Sequence, residues 1–193
     1  MGEARPDERV QKHLLRIKSS VTNLTSILND FLSLDKLEQG VVDIDEKTFD
    51  MRDFVGEVVE DVMTAKKGGQ NIITEHVGDN EITIDKKKLR YILVNLLSNG
   101  IKYSPDDGQV NVSVVVDEKD VIVSVQDNGI GIPEEEQQFL YSKFFRAKNT
   151  GNIQGTGLGL TIVRRYVDLM RGEISFVSRS GGGTTFTVRV PKS

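Results

Sequence analysis

Cysteine is missing from all 193 residues, which excludes a disulfide framework and a thiolate metal site and fits a reducing compartment. Long apolar runs are missing too. No stretch approaches the roughly 20 residues that span a bilayer, and no signal-peptide core is present. Pro6 breaks the myristoylation pattern that Met1-Gly2 opens. Positive charge is not in excess: 25 Lys and Arg against 29 Asp and Glu give a net charge of -4. Nucleic acid and anionic lipid therefore exert no bulk pull, and a phosphate-bearing ligand would have to be held locally. What is present, 37% hydrophobic and 28% charged residues, suffices for one good core with a short appendage.

The familiar phosphate loops are absent as well. No Gly-x-x-x-x-Gly-Lys-Ser/Thr occurs, and Gly155, Gly157 and Gly159 fall on every second residue rather than in the dinucleotide fingerprint. A kinase-type glycine loop would need catalytic and metal-binding aspartates in a later lobe, and too little chain follows Gly159.

The chain divides into a helical arm and a mixed domain, with no internal repeat. Val10, Leu14, Ile17, Val21, Leu24, Leu28 and Phe31 alternate steps of four and three, a strict heptad seam that Gly40 is placed to end. So narrow a stripe favours a bundle or coiled coil over an amphipathic helix packed on its own domain. Beyond it, Val41 to Ile44 reads as a short strand, and Asp50 as the cap of a helix carrying Phe54, Val58 and Val62. Ile72 to Val77 and Ile82 to Ile84 read as strands. Asp85 caps a helix with Leu89, Ile92, Leu93, Leu96 and Leu97 on its inner face. Val110 to Val116 and Val121 to Val125 form a hairpin, and Pro133 opens a short acidic helix. A polar stretch runs from Ala147 to Gln154. Leu158 to Met170 forms the last helix, followed by strands Ile174 to Val177 and Thr184 to Val190. The expected fold is α+β, a two-layer arrangement of one mixed sheet covered on one face by three helices.

Three segments carry chemistry. Asn95 and Asn99 lie one helical turn apart, where asparagine costs helix propensity and, if buried, must be satisfied. Asn99 offers Mg²⁺ a neutral oxygen, and Mg²⁺ takes few protein ligands beside phosphates. Lys102 is one turn on and within reach of a phosphate, and Tyr103 can stack on a base. Asp127 ends a hydrophobic strand and can accept from an exocyclic amine. The glycine-rich loop Gly155 to Leu160 runs straight into a helix, joining free N–H groups to the positive dipole end, although three glycines could also serve as a linker.

Asn95-Leu-Leu-Ser-Asn-Gly-Ile-Lys-Tyr-Ser104, Asp127-Asn-Gly-Ile-Gly-Ile-Pro133, Lys143-Phe-Phe-Arg146, Gly155-Thr-Gly-Leu-Gly-Leu160 and Gly182-Gly-Thr-Thr-Phe186 resemble, in order, the N, G1, F, G2 and G3 boxes of bacterial sensor histidine kinases. These share the Bergerat ATP-binding fold with gyrase, mismatch-repair and heat-shock chaperone ATPases. Leu28 to Gly40 is similar to the end of the second helix of the family's dimerisation hairpin. The resemblance implies two domains: residues 8–40, the second hairpin helix without the first, and 41–191, the catalytic ATP-binding domain.

For the site, the resemblance implies ATP and Mg²⁺ as ligands. Asn95 and Asn99 would sit at the metal and phosphates, with Asn99 the metal ligand. Lys102 would lie at a phosphate, Tyr103 against adenine, and Asp127 on the adenine amino group. Gly129 and Gly131 would give the base room, and Arg146 would reach the terminal phosphate. Gly155, Thr156, Gly157, Leu158 and Gly159 would line the triphosphate, and Thr185 would read adenine through water. Asn95, Asn99 and Arg146 would be the catalytic set, while Phe144 and Phe145 would anchor the lid to the core. The resemblance also implies a homodimeric full-length protein, a response-regulator receiver domain as partner and a cytoplasmic location, whether or not the parent has an inner-membrane anchor.

The ATPase relatives carry a glutamate where Asn95 stands, and a neutral amide cannot serve as a general base for water. This favours phosphoryl transfer to histidine over hydrolysis. The phosphoacceptor box is missing, however. His13 is followed by Leu14-Leu-Arg-Ile and His76 falls in a strand, so the chain is expected to bind ATP without phosphorylating itself. A water-consuming Bergerat ATPase and a degenerate module that only dimerises stand as alternatives.

Overall fold

In a computed structural model the described residues are 8–151, 153 and 155–192. Asn152 and Gln154 of the polar stretch lie outside them. The chain forms two units that divide after Val41.

The first unit is the helix α1, Glu8–Glu38. Gly40 ends it in the left-handed conformation, φ 69°. The Gly40 N–H donates to Leu37 O at 3.3 Å and the Val41 N–H to Lys36 O at 3.2 Å, so two of the last carbonyls are satisfied. The seam residues Val10, Leu14, Ile17, Val21, Leu24, Leu28 and Phe31 are all exposed, from 48% to 66%.

The second unit is two-layered. Its five-stranded mixed sheet has the order β2-β4-β5-β7-β6, from β2 (Asn71–Gly78), β4 (Gln109–Val116), β5 (Asp120–Asp127), β6 (Glu173–Ser178) and β7 (Thr184–Pro191). Only β2 and β4 pair in parallel. A separate two-stranded sheet joins β1 (Lys47–Asp50) to β3 (Glu81–Ile84). Helices α2 (Met51–Met63), α3 (Lys86–Tyr103) and α5 (Gly159–Leu169) supply the second layer, and a single turn, α4, spans Glu134–Gln137. The alternating valines of β4 and β5 point one face at α3 and bury it completely, while Asn111, Ser113 and Ser124 occupy the other. The strand expected at Val41 to Ile44 is absent. That segment is coil and the strand begins at Lys47, because pairing with β3 selects Lys47 to Asp50 and no neighbour offers Val41 a ladder.

Both capping aspartates act as expected, Asp50 accepting from the Asp53 N–H at 2.9 Å and Asp85 from the Lys88 N–H at 3.0 Å. Asp85 does more, because it is buried. It also accepts from the Asp45 N–H at 2.8 Å and from the Lys88 ammonium, which in turn donates to Asp43 O at 2.7 Å. The segment leading into the domain is thereby fastened to the start of α3. Burial pushes the Asp85 carboxyl pKa up, but hydrogen bonds from the Lys88 side chain and from the N–H groups of Asp45 and Lys88 outweigh it and leave the pKa below the ordinary 3.8. A depressed folded value stabilises the fold above pH 3.8, and that contribution disappears as pH falls through the folded pKa. Denaturant titrations of Asp85→Asn across that window should show a shallower acid loss than the parent; parallel profiles would contradict the assignment.

Candidate functional site

Helix α3 brings the first group together. Its Leu96 and Leu97 are buried in the core, which leaves Asn95 and Asn99 half-buried at the border of the layer. The Asn99 Nδ2 donates to Asn95 Oδ1 at 3.1 Å. Gly159, the first residue of α5, packs so closely on Asn95 that any side chain there would collide with the Asn95 amide. Helix α5 has Leu158 at its N-cap and no side-chain cap, unlike α2 and α3. Uncapped N–H groups and the positive helix end thus lie beside a carboxamide pair.

The glycine loop before α5 is folded tightly. Thr156 Oγ1 accepts from the Leu158 N–H at 3.1 Å, and Gly157 adopts φ 69°. A Cβ on Gly157 would stand 2.6 Å from the Phe144 carbonyl carbon, so this loop rests on the backbone of the Lys143-Phe-Phe-Arg146 segment. Phe144 itself has φ 63° and its side chain is 65% exposed. Its ring therefore does not anchor the segment to the core, a correction to the sequence-based expectation; its main chain makes the contact. Phe145 is half-buried, 5.9 Å from the Phe139 ring.

At the end of α3, the Lys102 ammonium lies 4.8 Å from the Tyr103 ring centroid. A Cβ on Gly155 would sit 2.8 Å from Lys102 Nζ. Burial lowers the Lys102 pKa, and the nearby Arg146 charge lowers it further. Burial raises that of Tyr103, with Arg146 opposing. Lys102, Tyr103, Arg146 and Gly155 therefore share one neighbourhood, in which Arg146 also donates to Ile153 O.

Asp127 is the third element. It pairs with Val110 and Thr184 across β4 and β7, so its side chain shares their helix-facing side. Its Oδ1 accepts from the Gly129 N–H at 2.8 Å and the Thr184 N–H at 3.3 Å, and among the described residues Oδ2 accepts no hydrogen bond. Burial raises its pKa, against the lowering pull of those two N–H groups. Backbone packs closely on Gly129 and Gly131. A side chain at Gly129 would come 2.5 Å from Tyr103 O, and one at Gly131 would collide with Arg179 O.

Thr185 is not with this group. It pairs with Gln126 and Val177 on the opposite side of the sheet; Thr184 is the threonine beside Asp127, bonded to Ser178 at 2.8 Å. Asp127 and Thr184 both fall on the core-facing parity of their strands, Asp127 half-buried and Thr184 buried, and the register between β5 and β7 sets them side by side. His13 lies exposed on α1, and His76, in β2, has its Nε2 3.1 Å from Asp79 O.

Residues 84–193 match the family model described as histidine kinase-, DNA gyrase B-, and HSP90-like ATPase. Among curated proteins, the chain is 33% identical over 187 residues to the aerobic respiration control sensor protein ArcB of Escherichia coli (strain K12), covering 93% of this chain and 24% of that protein. It thus spans about a quarter of the length of such relatives. Among solved structures, full-length ShkA in complex with AMPPNP superposes with a TM-score of 0.81 at 23% identity, over 98% of this chain and 40% of that one. The histidine kinase ThkA in complex with the response regulator protein TrrA gives 0.75 at 23% identity, over 99% and 53%.

Proposed function

Because the chain belongs to the histidine kinase-, DNA gyrase B-, and HSP90-like ATPases, we propose that it is the ATP-binding catalytic portion of a sensor histidine kinase. It would pass the γ-phosphoryl group of ATP to a histidine on the acceptor helix of a dimerisation hairpin. The observation that carries this reading is the neutral pair Asn95 and Asn99 set against the uncapped start of α5.

The hydrogen bond between the two amides sorts their roles. Asn99 donates one N–H to Asn95 and its carbonyl oxygen can face a cation, while the Asn95 Nδ2 lies beside Gly159 and can donate to a phosphate oxygen. Among the described residues no group of three His, Asp or Glu is assembled for a metal, which suits an ion brought in with the triphosphate. Mg²⁺ would neutralise phosphate charge there. Lys102 and Arg146 would balance the outer phosphates, the N–H groups of Gly157 and Gly159 would cradle them, and Asp127 Oδ2 would accept from the adenine amine. In the transfer, the bond from the γ-phosphorus to the β–γ bridging oxygen breaks as a bond to an imidazole nitrogen forms, and ADP leaves. Water gains no comparable help, since neither amide can take its proton.

The exposed seam of α1 supports the second helix of a dimerisation hairpin, residues 8–40, joined to a catalytic domain, 41–191. The ThkA structure holds the response regulator protein TrrA, which supports a receiver domain as partner of the parent protein, and the heptad seam of α1 supports a homodimer. The site would lie in the cytoplasm; no described helix is long and apolar enough to cross a membrane. A fluorescent ATP analogue titrated with and without Mg²⁺ should bind, with little steady-state hydrolysis, and adding a histidine-bearing hairpin should draw radiolabel onto it. Sustained turnover without a hairpin would overturn the kinase reading, and label on His13 would overturn the expectation that the chain cannot phosphorylate itself.

A further inference from the structure

Pro105 follows α3 by two residues and creates a specific defect. The Ile101 carbonyl would ordinarily accept from the N–H four residues on, and proline has none. Gln70, in the loop between α2 and β2 and outside every motif of the site, repairs it. Its side chain is 1% exposed, and its Nε2 donates to Ile101 O and to Pro105 O, both at 2.9 Å. Its Oε1 accepts from the Lys67 N–H at 2.9 Å, so both N–H groups and the oxygen are used. Lys67 adds a second clamp, its ammonium donating to Ser104 O at 2.8 Å. The carbonyls held this way, of Ile101, Ser104 and Pro105, flank Lys102 and Tyr103. The Tyr103 carbonyl is held from the other side by the Ile130 N–H, 3.2 Å away in the turn after Asp127.

We infer that Gln70 is a positioning residue that holds the end of α3, and with it Lys102 and Tyr103, in the geometry the ligand requires. The inference rests on the nucleotide reading of the site, but it concerns a residue that touches no ligand. Loss of these donors leaves Ile101 O unpaired in a buried place, and the last turn would fray where the phosphate and base contacts lie.

The test uses the whole chain with Gln70→Met, which keeps the length of the side chain and removes its donors. The fluorescent ATP analogue should bind about tenfold more weakly, the worth of about one hydrogen bond. Amide exchange at Ser104 and Ile130 should accelerate while that of β4 and β5 stays as in the parent. Where Gln70→Met fails to fold, Lys67→Met carries the test through the second clamp, with a loss of about threefold expected. Parental affinity in the folded variant, or weakened binding without faster exchange at Ser104 and Ile130, would overturn the inference. If the parent binds no ATP analogue, the nucleotide reading fails, and the exchange measurement still reports on the clamp.

Discussion

Asp127→Asn should weaken ATP binding by about 10- to 150-fold while leaving the unliganded protein as stable as the parent or more so. The two halves of this expectation come from the two carboxylate oxygens. Oδ1 accepts from the N–H groups of Gly129 and Thr184, and an asparagine oxygen can do the same. Oδ2 has no such partner among the described residues, and an asparagine would put an NH₂ donor there, opposed to the adenine amine. A hydrogen bond to a charged group contributes about 1.5–3 kcal/mol, which sets the range given.

The stability half follows from the raised Asp127 pKa. Burial disfavours the ionised carboxylate, so the folded state binds its proton more tightly than the unfolded chain. That preference favours folding at pH below the unfolded value and turns into a cost once pH passes the raised folded value, so at neutral pH the carboxylate burdens the fold. Removing the charge lifts that burden. Isothermal titration with ATP alongside thermal unfolding of the apo protein measures both. Unchanged affinity would remove Asp127 from the site, and a large fall in apo Tm would show that its role is in folding.

Asn99→Ala should erase the dependence of ATP binding on Mg²⁺. In the parent the nucleotide should bind more tightly with the metal than with a chelator; in the variant the ratio of the two affinities should fall to about 1. Loss even of an indirect partner of a metal ligand commonly costs roughly 10- to 100-fold in metal affinity, and a direct ligand is worth no less. The variant frees Asn95 Oδ1 from its hydrogen bond but leaves Asn95 on its own turn of α3, beside Gly159 at the start of α5. Binding in EDTA should therefore stay close to the parent value, which separates loss of the metal from loss of the fold. A variant that keeps the full Mg²⁺ effect would exclude Asn99 as the ligand.

Most of the fold could be read from periodicity, because burial imposes it. The valine alternation of β4 and β5 and the leucine face of α3 name their elements without help, as do the aspartates that cap α2 and α3. Val41 to Ile44 misled for the complementary reason: a run of β-branched residues states a preference, and only a strand beside it can satisfy that preference. The grouping of Lys102, Tyr103, Arg146 and Gly155, from three separate stretches, follows a motif order that is visible in one dimension.

Local chemistry written in the chain was enough to determine the heptad seam, the capped helices, the glycine loop opening a helix and the carboxamides one turn apart, since each depends on residues within a few positions of one another. The packed molecule decided the rest. Register between β5 and β7 put Thr184, not Thr185, beside Asp127. A single hydrogen bond joined the Asn99 and Asn95 amides, and a loop 31 residues upstream supplied the donor that Pro105 denies to Ile101. Those outcomes depend on which distant backbone groups need partners once water is excluded, a demand that exists only after the layers have closed.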